Sequence, residues 1–148
     1  MSVKCTFKLY FRAMGRILAL DYGHKRCGIA ISDPLNMIAN GLDTAETHLL
    51  IEKLKGIQQE YTFEKMVIGL PMRLSGEMSA IEQKIIPMIE KIKKEFPEIE
   101  IVRFDERFTS KMAMQSMIAA GAKKKQRAEK GNIDKVSATL LLQEYLNL

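Results

Sequence analysis

Apolar residues recur along this chain with two different spacings, and the changes from one to the other mark its elements. Ile17 to Leu20 is a short continuous apolar run, Gly28 to Ile31 is a second, and the few polar and glycine residues between them predict a β-hairpin. Met37 to Leu42 reads as a third strand that closes an antiparallel meander. From Thr47 the spacing becomes helical: Leu50, Leu54, Ile57 and Tyr61 share one face, with Thr44 placed to cap the helix. Lys65 to Leu70 is an apolar strand that Pro71 ends. Between Glu77 and Phe96, Ile81, Ile85, Ile89, Ile92 and Phe96 keep helical spacing, and Pro87 inside that run predicts a kink or a break. Glu100 to Phe104 is a fifth strand, Ser110 to Ala120 a helix whose Met112, Met114 and Met117 read as core packing, and Ile133 to Tyr145 a closing helix.

Short links join the first three strands and helix-length segments join the later ones. Antiparallel neighbours need only a turn, whereas parallel neighbours need a crossover, so the pattern predicts an α/β fold. Its five-stranded mixed sheet has the first three strands antiparallel, the next two parallel to the first, and helices on both faces. At 148 residues the chain is long enough for one well-buried core, and 47% hydrophobic with 28% charged residues is a globular balance. Residues 1–13 read as an N-terminal extension that need not be ordered, with Met14 as a second candidate start, and residues 14–148 as a single domain. No apolar run approaches the ~18 residues of a membrane span. The extension lacks the apolar core and small-residue cleavage site of a secretory signal. With Cys5 and Cys27 forming neither a disulfide framework nor a metal knuckle, a cytoplasmic protein with reduced thiols and no membrane contact is expected.

Charge sharpens this picture once it is divided along the chain. Of the net +5, residues 1–13 carry +3 and residues 121–131 carry +4, from Lys123, Lys124, Lys125, Arg127 and Lys130 less Glu129, which leaves −2 on the rest. Such concentration suits contact with a polyanion, although a solvated basic loop without a partner would show the same composition. The 121–131 loop has few apolar neighbours to hold it rigid and is expected to dock on phosphates.

Three of the five aspartates stand where the pattern changes: Asp21 at the end of the first strand, Asp105 beside Glu106 after the fifth, and Asp134 in the first turn of the last helix. Sites in α/β sheets lie at the carboxyl ends of strands, where Asp21 and the Asp105–Glu106 pair should emerge. Gly23 and Gly28 remove side chains on either side of Asp21, so a phosphate or a backbone can come close. Carboxylates gathered in this way repel one another unless a hard divalent cation neutralises them, and such cations prefer oxygen ligands. Each residue also has a plainer role open to it. Asp21 can cap a turn, Asp134 can cap its helix, and Asp105 can pair with Arg103 or Arg107. The Gly69-Leu-Pro-Met-Arg-Leu-Ser-Gly76 loop, with Arg73 and Ser75, can be an ordinary strand-to-helix turn or a phosphate contact.

Four segments together resemble the motifs of a known family: Leu20-Asp-Tyr-Gly-His-Lys-Arg-Cys-Gly-Ile-Ala-Ile-Ser-Asp33, Val67-Ile-Gly-Leu-Pro71 with Gly76, Asp105-Glu-Arg-Phe-Thr-Ser110 and Asp134-Lys-Val-Ser-Ala-Thr-Leu-Leu141. In this order and spacing, from about Gly15 to the C-terminus, they resemble the YqgF (RuvX) family of bacterial RNase H-like proteins, described as Holliday junction resolvases and as pre-16S rRNA nucleases. The resemblance implies an RNase H-like three-layer fold and a metal-dependent endonuclease acting on structured RNA or branched DNA. It implies Asp21, Glu106 and Asp134 as the catalytic acids holding Mg²⁺ or Mn²⁺. Lys25 and Arg26 would face the nucleic acid, and Arg73, Arg107, Lys123, Lys124, Lys125 and Arg127 join them as candidate contacts. Met72 and Leu74 depart from the polar residues common after Gly-Leu-Pro in that family, and residues 1–13 have no counterpart in it. Two other functions compete: a non-catalytic nucleic-acid-binding module in ribosome assembly or transcription, and an actin-like or sugar-kinase-like phosphate-binding ATPase fold. The last wants a second glycine-rich half for which 148 residues leave no room. Monomer and homodimer are equally compatible with the sequence.

Overall fold

In the computed structural model, which describes residues 15–71, 75–77, 79–105 and 130–148, the elements follow in the order strand, strand, strand, helix, strand, helix, strand, helix. They are β1 (Arg16–Tyr22), β2 (Arg26–Ser32), β3 (Ala39–Glu46), a 3₁₀ turn (Thr47–Leu49), α1 (Leu50–Glu60), β4 (Phe63–Leu70), α2 (Glu82–Glu95), β5 (Glu100–Asp105) and α3 (Lys130–Leu146). The strands form one sheet in the order β3-β2-β1-β4-β5. β1 and β2 are antiparallel, with Leu18 opposite Ile31 and Asp21 opposite Gly28, and β3 continues the antiparallel meander. β4 lies parallel to β1, with Leu18 opposite Met66, and β5 lies parallel to β4. This is the mixed sheet expected from the connection lengths and the open α/β architecture of the RNase H-like fold.

Alternation along each strand sorts the side chains onto two faces. Leu18, Leu20, Ile29, Ile31, Met66 and Ile68 form one buried cluster with Leu50, Leu54 and Ile57 of α1 and Ile85, Ile89 and Ile92 of α2. Ile17, Ala19, Ala30, Ala39 and Val67 form the other, covered by Ala138, Leu141 and Leu142 of α3. The helical stripes read from the sequence are the ones that are buried.

Four boundaries differ from expectation. β3 runs from Ala39 to Glu46 rather than from Met37 to Leu42, so Thr44 sits in the ladder opposite Gly28 and caps no helix. The cause is Asp33, whose carboxylate accepts the backbone N–H groups of Leu35, Met37 and Ile38 and holds them in a turn instead of a strand. α1 starts at Leu50, after the 3₁₀ turn, without a side-chain cap. α2 starts at Glu82 rather than Glu77, after a turn in which Ser79 N–H donates to the Pro71 carbonyl at 2.9 Å. It continues through Pro87 without a break, because Pro87 lies on the exposed side, where water can take the freed carbonyl. α3 is already helical at Lys130, where the described residues resume, ahead of the expected Ile133, which puts Asp134 beyond the first turn. The expected 1–13 extension, the Ser110–Ala120 helix and most of the 121–131 loop lie outside the described residues.

Candidate nucleic-acid cleavage site

Asp21 occupies the last part of β1 on the face that carries α3, since Ile17 and Ala19 precede it there with period two. Its neighbour across the ladder is Gly28. A β-carbon on Gly28 would lie 1.9 Å from the backbone oxygen of Asp134 and 2.3 Å from its carbonyl carbon. Only glycine allows the backbone of α3 to settle this deeply onto β2. Of the two partners that Gly28 could admit, a phosphate or a backbone, the backbone of α3 fills the place. Asp134, on the last helix, thereby comes to the strand pair that carries Asp21.

The electrostatics of Cys27 report the same convergence. Its thiol is fully buried beside Gly28 on the opposite face of the sheet. Burial pushes the thiol pKa up, hydrogen bonds from Thr47 and the Gly23 backbone oppose this, and the negative charges of both Asp21 and Asp134 raise it further. Two carboxylates from opposite ends of the chain therefore act on one sulfur. Arg26, next along β2, brings its Nε to 3.6 Å from Asp134 Oδ2, an ion pair without a hydrogen bond, and this buried Nε has no hydrogen-bond partner among the described residues.

The β1–β2 loop is held in place by Thr47, whose hydroxyl donates to the Gly23 carbonyl at 2.7 Å and whose N–H donates to the Lys25 carbonyl at 2.8 Å. Gly23 is required by the turn itself, since a β-carbon there would lie 2.5 Å from the Arg26 carbonyl oxygen. Between this loop and α3 opens a cavity of about 440 Å³ lined by Gly23, His24, Lys25, Arg26, Ile133 and Asp134. Lys25 and Arg26 thus line the same cavity as Asp134.

Asp105 ends β5 opposite Leu70. Val102 and Phe104 pack on the α3 side, whereas Arg103 turns to α2, where its guanidinium donates to both Glu82 carboxylate oxygens at 2.6 and 2.7 Å and to the Gly69 carbonyl at 3.1 Å. By the same alternation Asp105 falls on the side of Arg103, away from the face of Asp21. Glu106, Arg73, Arg107, Lys123, Lys124, Lys125 and Arg127 lie outside the described residues. Among the described residues, no three His, Cys, Asp or Glu side chains gather as a metal site. Asp134 stands past the first helical turn, so the helix-capping role open to it in the sequence is not the one it plays. His24, Thr47 and Ile133 were not singled out by sequence patterns. The hairpin prediction alone could have drawn attention to His24, and nothing in the spacing points to Thr47 as its anchor.

Among the described residues, no helix is long and apolar enough to cross a membrane. The family model described as RuvX, Holliday junction resolvase, matches residues 15–148. A Bacteroides thetaiotaomicron protein named "Putative pre-16S rRNA nuclease" is 47% identical over 133 residues, covering 90% of this chain and 96% of its own. Proteins of the same name from Flavobacterium psychrophilum and Flavobacterium johnsoniae are 48% and 46% identical, each covering 90% of this chain and 97% of its own. With the family model matching residues 15–148 and relatives 46–48% identical over 90% of its length, the chain belongs to the RuvX family of nucleases.

Proposed function

We propose that this protein is a metal-dependent endonuclease that hydrolyses phosphodiester bonds in structured nucleic acid, processing the 5′ end of pre-16S rRNA, resolving Holliday junctions, or both. One observation carries the reading: α3 is seated on Gly28, directly across the ladder from Asp21, with Lys25 and Arg26 on the rim. This supports Asp21 and Asp134 as members of one acidic site and not as unrelated surface charges. The names of the relatives support rRNA as the substrate, and the family description supports branched DNA.

Glu106 is the third acid of the proposal. It lies outside the described residues and enters through the resemblance of Asp105-Glu-Arg-Phe-Thr-Ser110 to the family's motif. The donor set consists of hard carboxylate oxygens, which fits Mg²⁺ or Mn²⁺: these ions take one or two carboxylates and complete their shells with water and substrate phosphate. Asp21, Glu106 and Asp134 would hold the ion, which when bound supplies Lewis acidity at the scissile phosphate. The chain's own cations do the positioning. Arg26 presents a part-exposed guanidinium beside Asp134, and the exposed Lys25 supplies a second positive charge on the lining of the cavity. Arg73, Arg107, Lys123, Lys124, Lys125 and Arg127 would extend this field along the strand.

The test incubates purified protein with Mn²⁺ or Mg²⁺ on precursor rRNA and on four-way junction DNA, for wild type and Asp134→Asn. Asn keeps the size of Asp but removes the charge that a hard cation needs, so cleavage should be lost while the fold and much of the binding survive. Without metal, loss of the part-exposed Arg26–Asp134 ion pair opposes any relief of like-charge repulsion, so the variant should melt close to the wild-type temperature. Full activity in Asp134→Asn would remove that residue from the site. Tight binding without cleavage by the wild type would favour the non-catalytic module.

A further inference from the structure

Resting on the reading of the Asp21–Asp134 site as a nuclease centre, we infer that the β1–β2 loop is a ridge between two strand-binding grooves. The groove on its far side, toward α2, binds the phosphodiester backbone of nucleic acid that continues beyond the cleavage groove. A second cavity of about 510 Å³ lies there, lined by His24, Lys25, Arg26, Glu46, Thr47, His48 and Met88. It shares His24, Lys25 and Arg26 with the cavity that holds Asp134, so the two hollows meet along this loop.

The construction of the ridge suits an anion on either side. The loop carbonyls of Gly23 and Lys25, which would repel a phosphate, are both engaged by Thr47. What the loop offers to solvent is therefore side chains, and His24 and Lys25 are both exposed. Lys25 and Arg26 are permanent cations, while His24 and His48 add ring N–H donors. The one acid among the residues lining the groove, Glu46, lies 3.5 Å from His48 Nε2. Met88, half-buried on α2, gives the groove an apolar wall against which a sugar or base can rest. Two cationic grooves divided by a ridge fit a substrate whose strands part at that point, such as the foot of a stem or the arms of a junction. A short lone strand would need only one of them.

Binding is measured in the Asp134→Asn background with Mg²⁺, at low and moderate salt. The probes are an RNA stem with a single-stranded tail, a four-way DNA junction, and RNA and DNA single strands of about six nucleotides. Glu46 and His48 are surface residues, so their substitution leaves folding intact. Glu46→Lys should tighten both branched probes by about fivefold at low salt and His48→Glu should weaken them by about the same factor, while the short strands shift less than about twofold. Equal shifts for RNA and DNA identify phosphate as the group read, and a shift confined to RNA would overturn a backbone-reading groove. Branched probes that ignore both variants, or short strands that respond as strongly, would also overturn it and leave the nuclease centre standing. Failure of wild type and Asp134→Asn alike to bind any probe would remove both.

Discussion

The two faces of the sheet are built from different residues and do different work. Toward α1 and α2 the strands present Leu18, Leu20, Ile29, Ile31, Met66 and Ile68, whereas toward α3 they present, besides Ile17, mostly smaller residues: Ala19, Ala30, Ala39 and Val67 with Gly28 and Gly41 among them. A large aliphatic side chain contributes about 1.5–3 kcal/mol when fully buried, so the first face holds most of the folding free energy. The second face forgoes that burial and gains proximity: small residues let α3 descend until its backbone touches β2. Stability and positioning are thereby assigned to opposite sides of one sheet, and substitutions should separate them.

The largest effect is expected at Gly28. Gly28→Val forces the backbone of α3 off β2, because the atoms in its way are the Asp134 carbonyl and the Lys135 nitrogen and not a movable side chain. It should cost about 3 kcal/mol in urea unfolding, at the upper end for overpacking, and lower cleavage by about a hundredfold through misplacement of Asp134. On the other face, Leu54→Ala empties a fully buried site and should cost about 2–3 kcal/mol. Activity per folded molecule should stay near wild type; a matching loss of cleavage would break the division between the faces. Gly41→Ala sharpens it. The atoms nearest its β-carbon are Lys135 Cγ at 2.9 Å and Thr139 Oγ1 at 3.1 Å, side-chain and not backbone atoms, so the change should cost about 1 kcal/mol, well below Gly28→Val.

The smallest effect is one of pH. The backbone N–H of Ile38 foremost holds the Asp33 carboxyl below its usual 3.8; desolvation, next in size, opposes it, and the N–H groups of Met37 and Leu35 add to the lowering. A carboxyl depressed in the folded state contributes stability that is present above its unfolded pKa and is lost as pH falls through the folded one. Acidification below about pH 4 should therefore loosen the β2–β3 turn. This turn steadies α3, whose Gln143 accepts from Ala39 N–H and donates to the Met37 carbonyl. Melting curves of wild type and Asp33→Asn should differ at pH 6 and converge toward pH 3; a gap that stays constant would exclude ionisation of Asp33 as its source.

Much of this division was legible in the residue pattern, and the reasons are local. Leu50, Leu54 and Ile57 repeat at helical spacing and pack on one face, and the link lengths carry the sheet order because a parallel neighbour cannot be reached by a turn. Where a side chain captures backbone groups, pattern fails: Met37 and Ile38 look like strand, yet Asp33 takes their N–H groups and β3 starts at Ala39. Gly28 and Asp134 were each visible as candidates. Their contact was not, because it depends on how far a helix sinks onto a sheet, a three-dimensional fit that no spacing encodes. The groove at His48 was hidden for a similar reason, being assembled from a loop, a strand end, a 3₁₀ turn and one residue of α2.

The contact between Gly28 and Asp134 also has a consequence in time. A ribosome makes this chain from β1 to α3, so the sheet and its α1–α2 side can form before the helix bearing the second aspartate has been synthesised. A product cut short before Lys130 would keep Asp21, Glu106, Lys25 and Arg26 but would lack Asp134, whose backbone sits against Gly28. It would also leave Ala19, Ala30 and Val67 uncovered, a mark by which quality control could recognise it. On the proposed reading, the helix that covers the small-residue face also brings Asp134 to the strand pair of Asp21, so burial of that face and assembly of the site are a single step.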